Sequence, residues 1–334
     1  MYSVYQHWDK LKTCMVGRSY PPEFYSYITN PRVRNVMERI ANETEEDYQK
    51  LITLLESFDV TILRPELKDS IEHYRLENGT YQAPPMTPRD YSGMIGNKFY
   101  IDLGPGYAYK EIAKHIGINN KIYLNKNIDT ASITRVGKDL YFGTTPYTLP
   151  FIENLNHKTK LFPEYRCHIV DTQGHTDGCF CPVVPGLIVS LYDIQNYKET
   201  FPGWETVYLP ENGYYAIDEF IKLKEKNAGK WWVPGEELND DFTEFVETWI
   251  SHWVGYVEET VFDVNMLIID KKNVICNNYN KTVFDVFERY GITPHIINLR
   301  HRWFWDGGLH CITSDIDREG VMEDYFPERG EPNV

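Results

Sequence analysis

The sequence has no excess of basic charge, no long apolar run, no CxxC pair of metal-site spacing and no low-complexity linker. Each absence excludes something. Thirty-four lysines and arginines stand against 49 aspartates and glutamates, a formal net charge of −15. So acidic a chain is a poor partner for nucleic-acid phosphates. No apolar stretch approaches the roughly 18 residues of a membrane helix. The opening "MYSVYQHWDKL" lacks a basic start followed by an apolar core, so no signal peptide and a reduced cytoplasmic setting are expected. The six cysteines (Cys14, Cys167, Cys179, Cys181, Cys276 and Cys311) do not read as a disulfide framework in a chain of 334 residues. Cys179 and Cys181 lie two apart on one face of an extended segment and are expected to pack rather than bridge.

What the chain does contain is a recurring hairpin. "SGMIGNKFYID" turns at Gly-Asn, "ASITRVGKDLYFG" at Gly-Lys, "GCFCPVVPGLIVSL" at Pro-Gly and "VNMLIIDKKNVICN" at Asp-Lys-Lys-Asn. Turn residues between apolar runs signal hairpins. Helical stripes accompany them. "ETEEDYQKLITLLESF" carries Tyr48, Leu51, Ile52 and Leu55 with Thr44 as the expected cap, and the strand "VTILRP" follows. "NKTVFDVFERYG" carries Val283, Phe284 and Phe287, stops at Gly291 and leads into "PHIINL". The unit is hairpin, helix, strand, about five times with unequal lengths. Such repeats can stack around an axis with loops gathered at one end. Residues 192–234 fit the repeat poorly and are expected to be an insertion within a single domain spanning 1–334.

Ionisable residues recur where hairpins begin: Asp90 in "TPRDYSG", Asp129 in "NKNIDTASITRVGKD", His175 and Asp177 in "GHTDGCF", and Cys311 in "FWDGGLHCITSD". An Asp at a strand entrance is commonly a turn residue, and a lone Cys is commonly a small core side chain. Four equivalent repeat positions, however, converge on the axis of a radial fold. A thiolate nucleophile needs a partner for its proton. A histidine works as acid and base near neutral pH, and an Asp behind it fixes its orientation. Further carboxylates suit a planar cation such as a guanidinium.

With these residues in view, the sequence resembles the glycine amidinotransferases of the guanidino-modifying, or pentein, superfamily. The likeness runs through most of the chain, from "HWDKLKTCMVGRSYPPEF" through "TPRD…IGNKFYI", "IDTASITRVGKD" and "HTDGCFCPVVPGLIVS" to "FERYGITPHIINLR…DGGLHCITSDIDREG". It implies a five-bladed α/β propeller of ββαβ repeats with the active site on the axis. It also implies Cys311 as nucleophile, His175 as general acid and base, Asp129 as its support, and Asp90 and Asp177 as guanidinium ligands. The expected partners are a small-molecule guanidino donor and an acceptor amine, with no cofactor, metal, nucleic acid or membrane, and a homodimer as candidate assembly. The segment between "GNKFYI" and "NKNID" is shorter than in the family, and Ser132 replaces the family's second Asp. Where the family binds a substrate carboxylate with an arginine and a serine, this chain has Ile194 and Asp263, with Asn265 beside the latter in the substrate-binding set. The expected consequence is a substrate lacking an α-carboxylate there, unless Arg300 or Arg302 compensates. Amidino transfer is the leading expectation. Hydrolysis by the same apparatus is the alternative, and a non-catalytic ribosome-binding pentein is disfavoured by the complete Cys-His-Asp set.

Overall fold

The computed structural model describes residues 1–101, 106–124, 129–144, 157–172, 174–194, 196–209, 233–254, 263–305 and 307–332. Within them the strands form five three-stranded sheets that repeat one order. The second comprises β3 (Ser92–Ile95), β4 (Lys98–Ile101) and β5 (Lys121–Leu124), and the third β6 (Ile133–Val136), β7 (Asp139–Gly143) and β8 (Arg166–Val170). The fourth comprises β9 (Phe180–Val184), β10 (Leu187–Ser190) and β11 (Glu205–Tyr208), and the fifth β12 (Leu267–Asp270), β13 (Asn273–Cys276) and β14 (Thr293–Ile296). In each, the first two strands form an antiparallel hairpin and the third returns parallel to the second. The first sheet is assembled from distant parts of the chain. β1 (Lys10–Val16) runs parallel to β2 (Thr61–Leu63) and antiparallel to β15 (Thr313–Glu319), with Met15 opposite Ser314. That pairing closes the ring of blades.

A parallel return needs a crossover, and helices supply it. They are α1 (Pro31–Glu56) in the first blade, α3 (Lys110–Gly117) in the second, α4 (Tyr197–Thr200) in the fourth and α6 (Lys281–Tyr290) in the fifth, with residues 157–161 helical in the third. Three further helices, α2 (Pro88–Tyr91), α5 (Asp240–Phe245) and α7 (Arg302–Trp305), lie between blades along the chain. The hairpin glycines Gly96, Gly137 and Gly186 all take positive φ, as tight turns require.

Two expectations need correction. α1 begins 13 residues before Thr44: Pro31 opens it and the Asn30 side chain accepts a hydrogen bond from the Arg32 N–H. The apolar stripe already runs through Val33, Val36, Met37 and Ile40, so the helix needs no cap at Thr44. Thr44 is instead buried, and its hydroxyl accepts from Trp305 Nε1 at 2.9 Å. The segment 192–234 is not wholly an insertion. It supplies α4 and β11, the crossover and outer strand of the fourth blade, while 210–232 lie outside the described residues.

The inner strands meet around one fully buried carboxylate. Asp315 of β15 receives Arg89 at 3.0 Å, Arg135 of β6 at 2.7 Å and Arg318 at 2.7 Å. Further guanidinium N–H groups reach the carbonyls of Met94 in β3, Ile268 in β12, Asp9 and His310, while Arg89 Nη2 and Arg135 Nε are buried without a hydrogen-bond partner. Burial opposes ionisation of Asp315, but Arg135, Arg89 and Arg318 outweigh it and hold the carboxyl well below its ordinary range. This cluster ties four inner strands to one point on the axis.

Candidate active site

Each inner strand is entered through a short lead-in. α2 carries Asp90 into β3. A turn at Thr130–Ser132, capped by Asp129, leads into β6. A turn at Thr176–Gly178, with His175 before it and Asp177 inside it, leads towards β9. Asp263 and Asn265 precede β12, and Cys311 precedes β15. The cap is formed by side-chain oxygens of Asp129 that accept from the Ala131 N–H at 2.9 Å and from the Ser132 hydroxyl at 2.7 Å. Ser132, which departs from the family pattern, thus orients the Asp expected to support the histidine.

The lead-ins are stitched into a closed ring. Thr130 Oγ1 donates to the Ser92 carbonyl, and Thr176 Oγ1 to that of Ala131. Asn265 Nδ2 donates to the Asp177 carbonyl, and the His310 and Cys311 N–H groups donate to Asn265 Oδ1. Ser314 Oγ returns to the Ser92 carbonyl. Five loops from distant parts of the chain are therefore fixed against one another, which a preorganised site requires.

The five acid, base and nucleophile candidates fall into two contacting sets, His175 with Asp129 and Asp90, and Cys311 with Asp177. His175 Nε2 is 2.9 Å from Asp129 Oδ2, and its Nδ1 is 4.0 Å from Asp90 Oδ1. Cys311 Sγ lies 3.6 Å from Asp177 Oδ2, which also accepts from His310 Nδ1 at 2.8 Å. Asn265 Nδ2 is 3.1 Å from Cys311 Sγ. One oxygen each of Asp90 and Asp177 is buried without a hydrogen-bond partner. Buried acceptors left open are costly and mark where a ligand with several donors would be welcomed. Asp90, Asp129 and His175 each bring a ligand atom within 4.8 Å of the others, a set that suits a cation, metallic or organic.

The electrostatics are those of an acidic, desolvated cluster. Burial lifts Asp90 to about 7, helped by the charges of Asp129 and Asp177 and opposed by His175. Burial works against the imidazolium of His175, but the hydrogen bond and charge of Asp129, with Asp90 and Asp177, offset this and lift it to about 10. Burial, then the charges of Asp177 and Asp90, push the Cys311 thiol well above its ordinary value, against the hydrogen bond from Asn265. Burial and the neighbouring Arg89 lower His310 to about 4, so it donates to Asp177 as a neutral ring. The resting site holds a thiol and an imidazolium at neutral pH.

The residues expected to contact the substrate's far end are placed differently. Ile194 packs against the apolar cluster of the fourth and fifth blades. Asp263 accepts from Asn278 Nδ2 at 3.3 Å and Asn280 Nδ2 at 3.0 Å. Arg300 is committed to α1, held by Asp47, Glu46 and the Glu43 carbonyl. Arg302 donates to Asn298 and the Leu299 carbonyl; burial lowers it to about 10, and attraction to Asp263 opposes that shift. Sequence reasoning missed His310 as a partner of Asp177. Its position beside Cys311 was visible, but neighbouring residues on a turn face different ways. Arg89 was missed for the same reason: it enters the buried cluster while Asp90 faces the site.

The fold is shared with solved amidinotransferase structures. An amidinotransferase of the saxitoxin pathway from Microseira wollei superposes with a TM-score of 0.70 at 17% identity, covering 97% of this chain and 99% of that one. The inosamine-phosphate amidinotransferase of Streptomyces griseus does so with a TM-score of 0.69, also at 17% identity and covering the same shares of both chains. These likenesses bear out the pentein architecture. In sequence, the chain is similar to the mitochondrial glycine amidinotransferase of Xenopus tropicalis, 26% identical over 207 residues that cover 59% of this chain and 40% of that protein. It is also similar to an L-arginine:L-lysine amidinotransferase of Pseudomonas savastanoi pv. phaseolicola, 23% identical over 203 residues covering 59% and 46%. The chain matches less than half the length of these curated relatives. No family model matches it. Among the described residues, no helix is long and apolar enough to cross a membrane.

Proposed function

We propose that this protein transfers an amidino group from a guanidino donor to an acceptor amine through Cys311. The observation that carries the reading is the pair of partnerless carboxylate oxygens, on Asp90 and Asp177, flanking a thiol and an imidazolium. A guanidinium brings planar N–H donors that suit those oxygens. Its positive charge offsets the carboxylates that hold the Cys311 thiol neutral, so donor binding favours the thiolate, and the thiol proton passes to solvent as the donor binds. Cys311 Sγ then bonds to the guanidinium carbon. The bond from that carbon to the donor's alkyl nitrogen breaks as His175 gives that nitrogen its proton, and the amine leaves. His175, now neutral, takes a proton from the incoming amine. The amine nitrogen bonds to the amidino carbon, the carbon–sulfur bond breaks and the thiolate returns. Asp129 keeps the ring oriented and its cation stable throughout.

Water in place of the acceptor would make the same apparatus a hydrolase. The similarity to curated amidinotransferases supports transfer. Incubation with carbon-labelled guanidines and a set of amines separates the two: transfer yields a labelled guanidino product on the acceptor, whereas hydrolysis of the amidino-cysteine yields labelled urea, or a labelled ureido product where ammonia rather than the alkyl amine leaves first. Release of urea or ureido product alone would replace the transferase reading.

The substrate's far end carries a second element of the proposal. Ile194 is apolar, Asp263 is acidic and Arg300 is committed elsewhere. Burying a carboxylate beside Asp263 is unfavourable without a cationic partner, whereas an amine there would be paired. A donor such as agmatine, or a diamine acceptor, fits this end better than arginine with glycine. Competition between agmatine and arginine, and between putrescine and glycine, decides it. A clear preference for arginine with glycine would overturn this element and leave ordinary arginine–glycine chemistry.

A further inference from the structure

Asn265 does more than line the site, and this inference rests on the reading of Cys311 as the nucleophile. Its side chain is buried at 4% exposure, and every polar atom of its amide is engaged. The orientation of that amide is fixed by its surroundings. The backbone N–H groups of His310 and Cys311 both point at Oδ1, at 2.8 and 3.2 Å, so that atom has to be the acceptor. The opposite end is then the NH2 group, which lies 3.2 Å from the Asp177 carbonyl and 3.1 Å from Cys311 Sγ. The chain makes room for this contact. A side chain at Gly308 would place its Cβ 2.5 Å from Asn265 Oδ1, so the Gly before Leu309 is what lets the amide sit under the Cys turn. Asn277 Nδ2 donates to the Asn265 carbonyl at 2.8 Å and fixes the backbone from the other side.

We propose that Asn265 is a catalytic residue whose Nδ2–H holds the negative charge of the Cys311 sulfur, both when the thiolate attacks and when it departs from the amidino carbon. The neighbouring carboxylates Asp177 and Asp90 work against that charge, and the neutral donors that oppose them are the Asn265 amide and, after it, the Gly308 backbone N–H. Hydrogen bonds to a charged partner are about twice as strong as neutral ones. The gain therefore appears mainly when sulfur is ionised, which is when it accelerates the reaction.

The test needs no guanidine and so is independent of whether the protein transfers or hydrolyses. Below its pKa, a thiol alkylates in proportion to its thiolate fraction, about tenfold per pH unit. Iodoacetamide labelling of Cys311 is measured at fixed pH in wild type, Asn265→Ala and Asn265→Asp, with peptide mass spectrometry separating Cys311 from the other cysteines. The Asp variant keeps an oxygen acceptor for the His310 and Cys311 N–H groups, loses the donor and adds a charge. The expected result is at least a tenfold slower labelling in Ala and a larger loss in Asp, with folding checked by near-UV dichroism. Unchanged or faster labelling in a folded Ala variant would overturn the proposal. Should both variants fail to fold, nitrogen NMR of the wild type decides: the Asn265 side-chain amide resonance moves when Cys311 is alkylated, and an unmoved resonance overturns the proposal.

Discussion

Two polar clusters share the axis of this propeller, and they are built on opposite rules. Inside the ring of inner strands, Asp315 is wrapped by Arg89, Arg135 and Arg318, and further donors of theirs reach the backbone carbonyls of Met94 in β3, Ile268 in β12, Asp9 and His310. At the strand entrances, Asp90, Asp129 and Asp177 face one histidine and a thiol, and two carboxylate oxygens have no partner. The first cluster spends its hydrogen bonds on the fold. The second leaves acceptors open for a ligand. The two are also coupled. Arg89 helps to keep Asp177 ionised and His310 neutral, so the charge of the buried cluster helps to set the protonation of the open one.

The comparison is broken most sharply at Cys311. Cys311→Ser is expected to lower turnover by roughly 10³-fold or more while leaving the urea midpoint nearly unchanged. Normal turnover in that variant would mean that the open cluster is not the catalytic one. Asp315→Asn is expected to do the reverse. Removing one partner of a buried ion pair costs about 3–5 kcal/mol, so urea unfolding should show a large loss of stability, with activity lost only as the folded fraction falls. A stable Asp315→Asn variant would deny that the buried cluster ties the blades together.

Asp90→Asn sharpens the contrast, because here function and stability oppose each other. The folded-state value of about 7 lies above the ordinary carboxyl value of 3.8. The folded protein therefore holds more protons than the unfolded chain between those values, and this group makes stability fall as pH rises through that window. The Asn variant escapes that loss. It is expected to be more stable than wild type at pH 8, by a margin that shrinks as pH falls towards 4, while donor KM rises by roughly 100-fold. Equal stability at both pH values would show that Asp90 is not strained by burial.

The smallest of these effects is the pH profile itself. Donor binding needs Asp90 ionised, which occurs above about 7, and amine departure needs His175 protonated, which holds below about 10. kcat/KM should rise through the first value and fall through the second. A single limb with no alkaline fall would remove His175 as the acid.

How much of this was legible beforehand follows from the kind of signal each feature leaves. The hairpins are written in local turn chemistry, and the glycines of Gly-Asn, Gly-Lys and Pro-Gly turn where expected. That Cys311, His175, Asp129, Asp90 and Asp177 gather at the strand entrances was legible because each sits at the same place in a repeat. The start of α1 was hidden because the charged stretch after Thr44 carries the more conspicuous helical stripe, although Asn30 and Pro31 are ordinary start signals. The outer strand of the fourth blade was hidden because β11 is short and only partly buried. The buried arginine cluster was illegible in principle: Arg89, Arg135 and Arg318 are scattered charges in sequence, and only the closed topology brings them to Asp315. The pairing of His310 with Asp177, 133 positions apart, is of the same kind.

The central claim is that the open cluster forms a covalent amidino intermediate on Cys311. The most direct measurement is peptide mass spectrometry of the protein quenched within seconds of exposure to a carbon-labelled guanidine such as agmatine or arginine. The account predicts a labelled amidino group on the Cys311 peptide, absent in Cys311→Ser and in His175→Asn, that disappears when an acceptor amine is added as labelled guanidino product forms. Labelled product accumulating with Cys311 unmodified throughout, or formed at normal rate by Cys311→Ser, would contradict it.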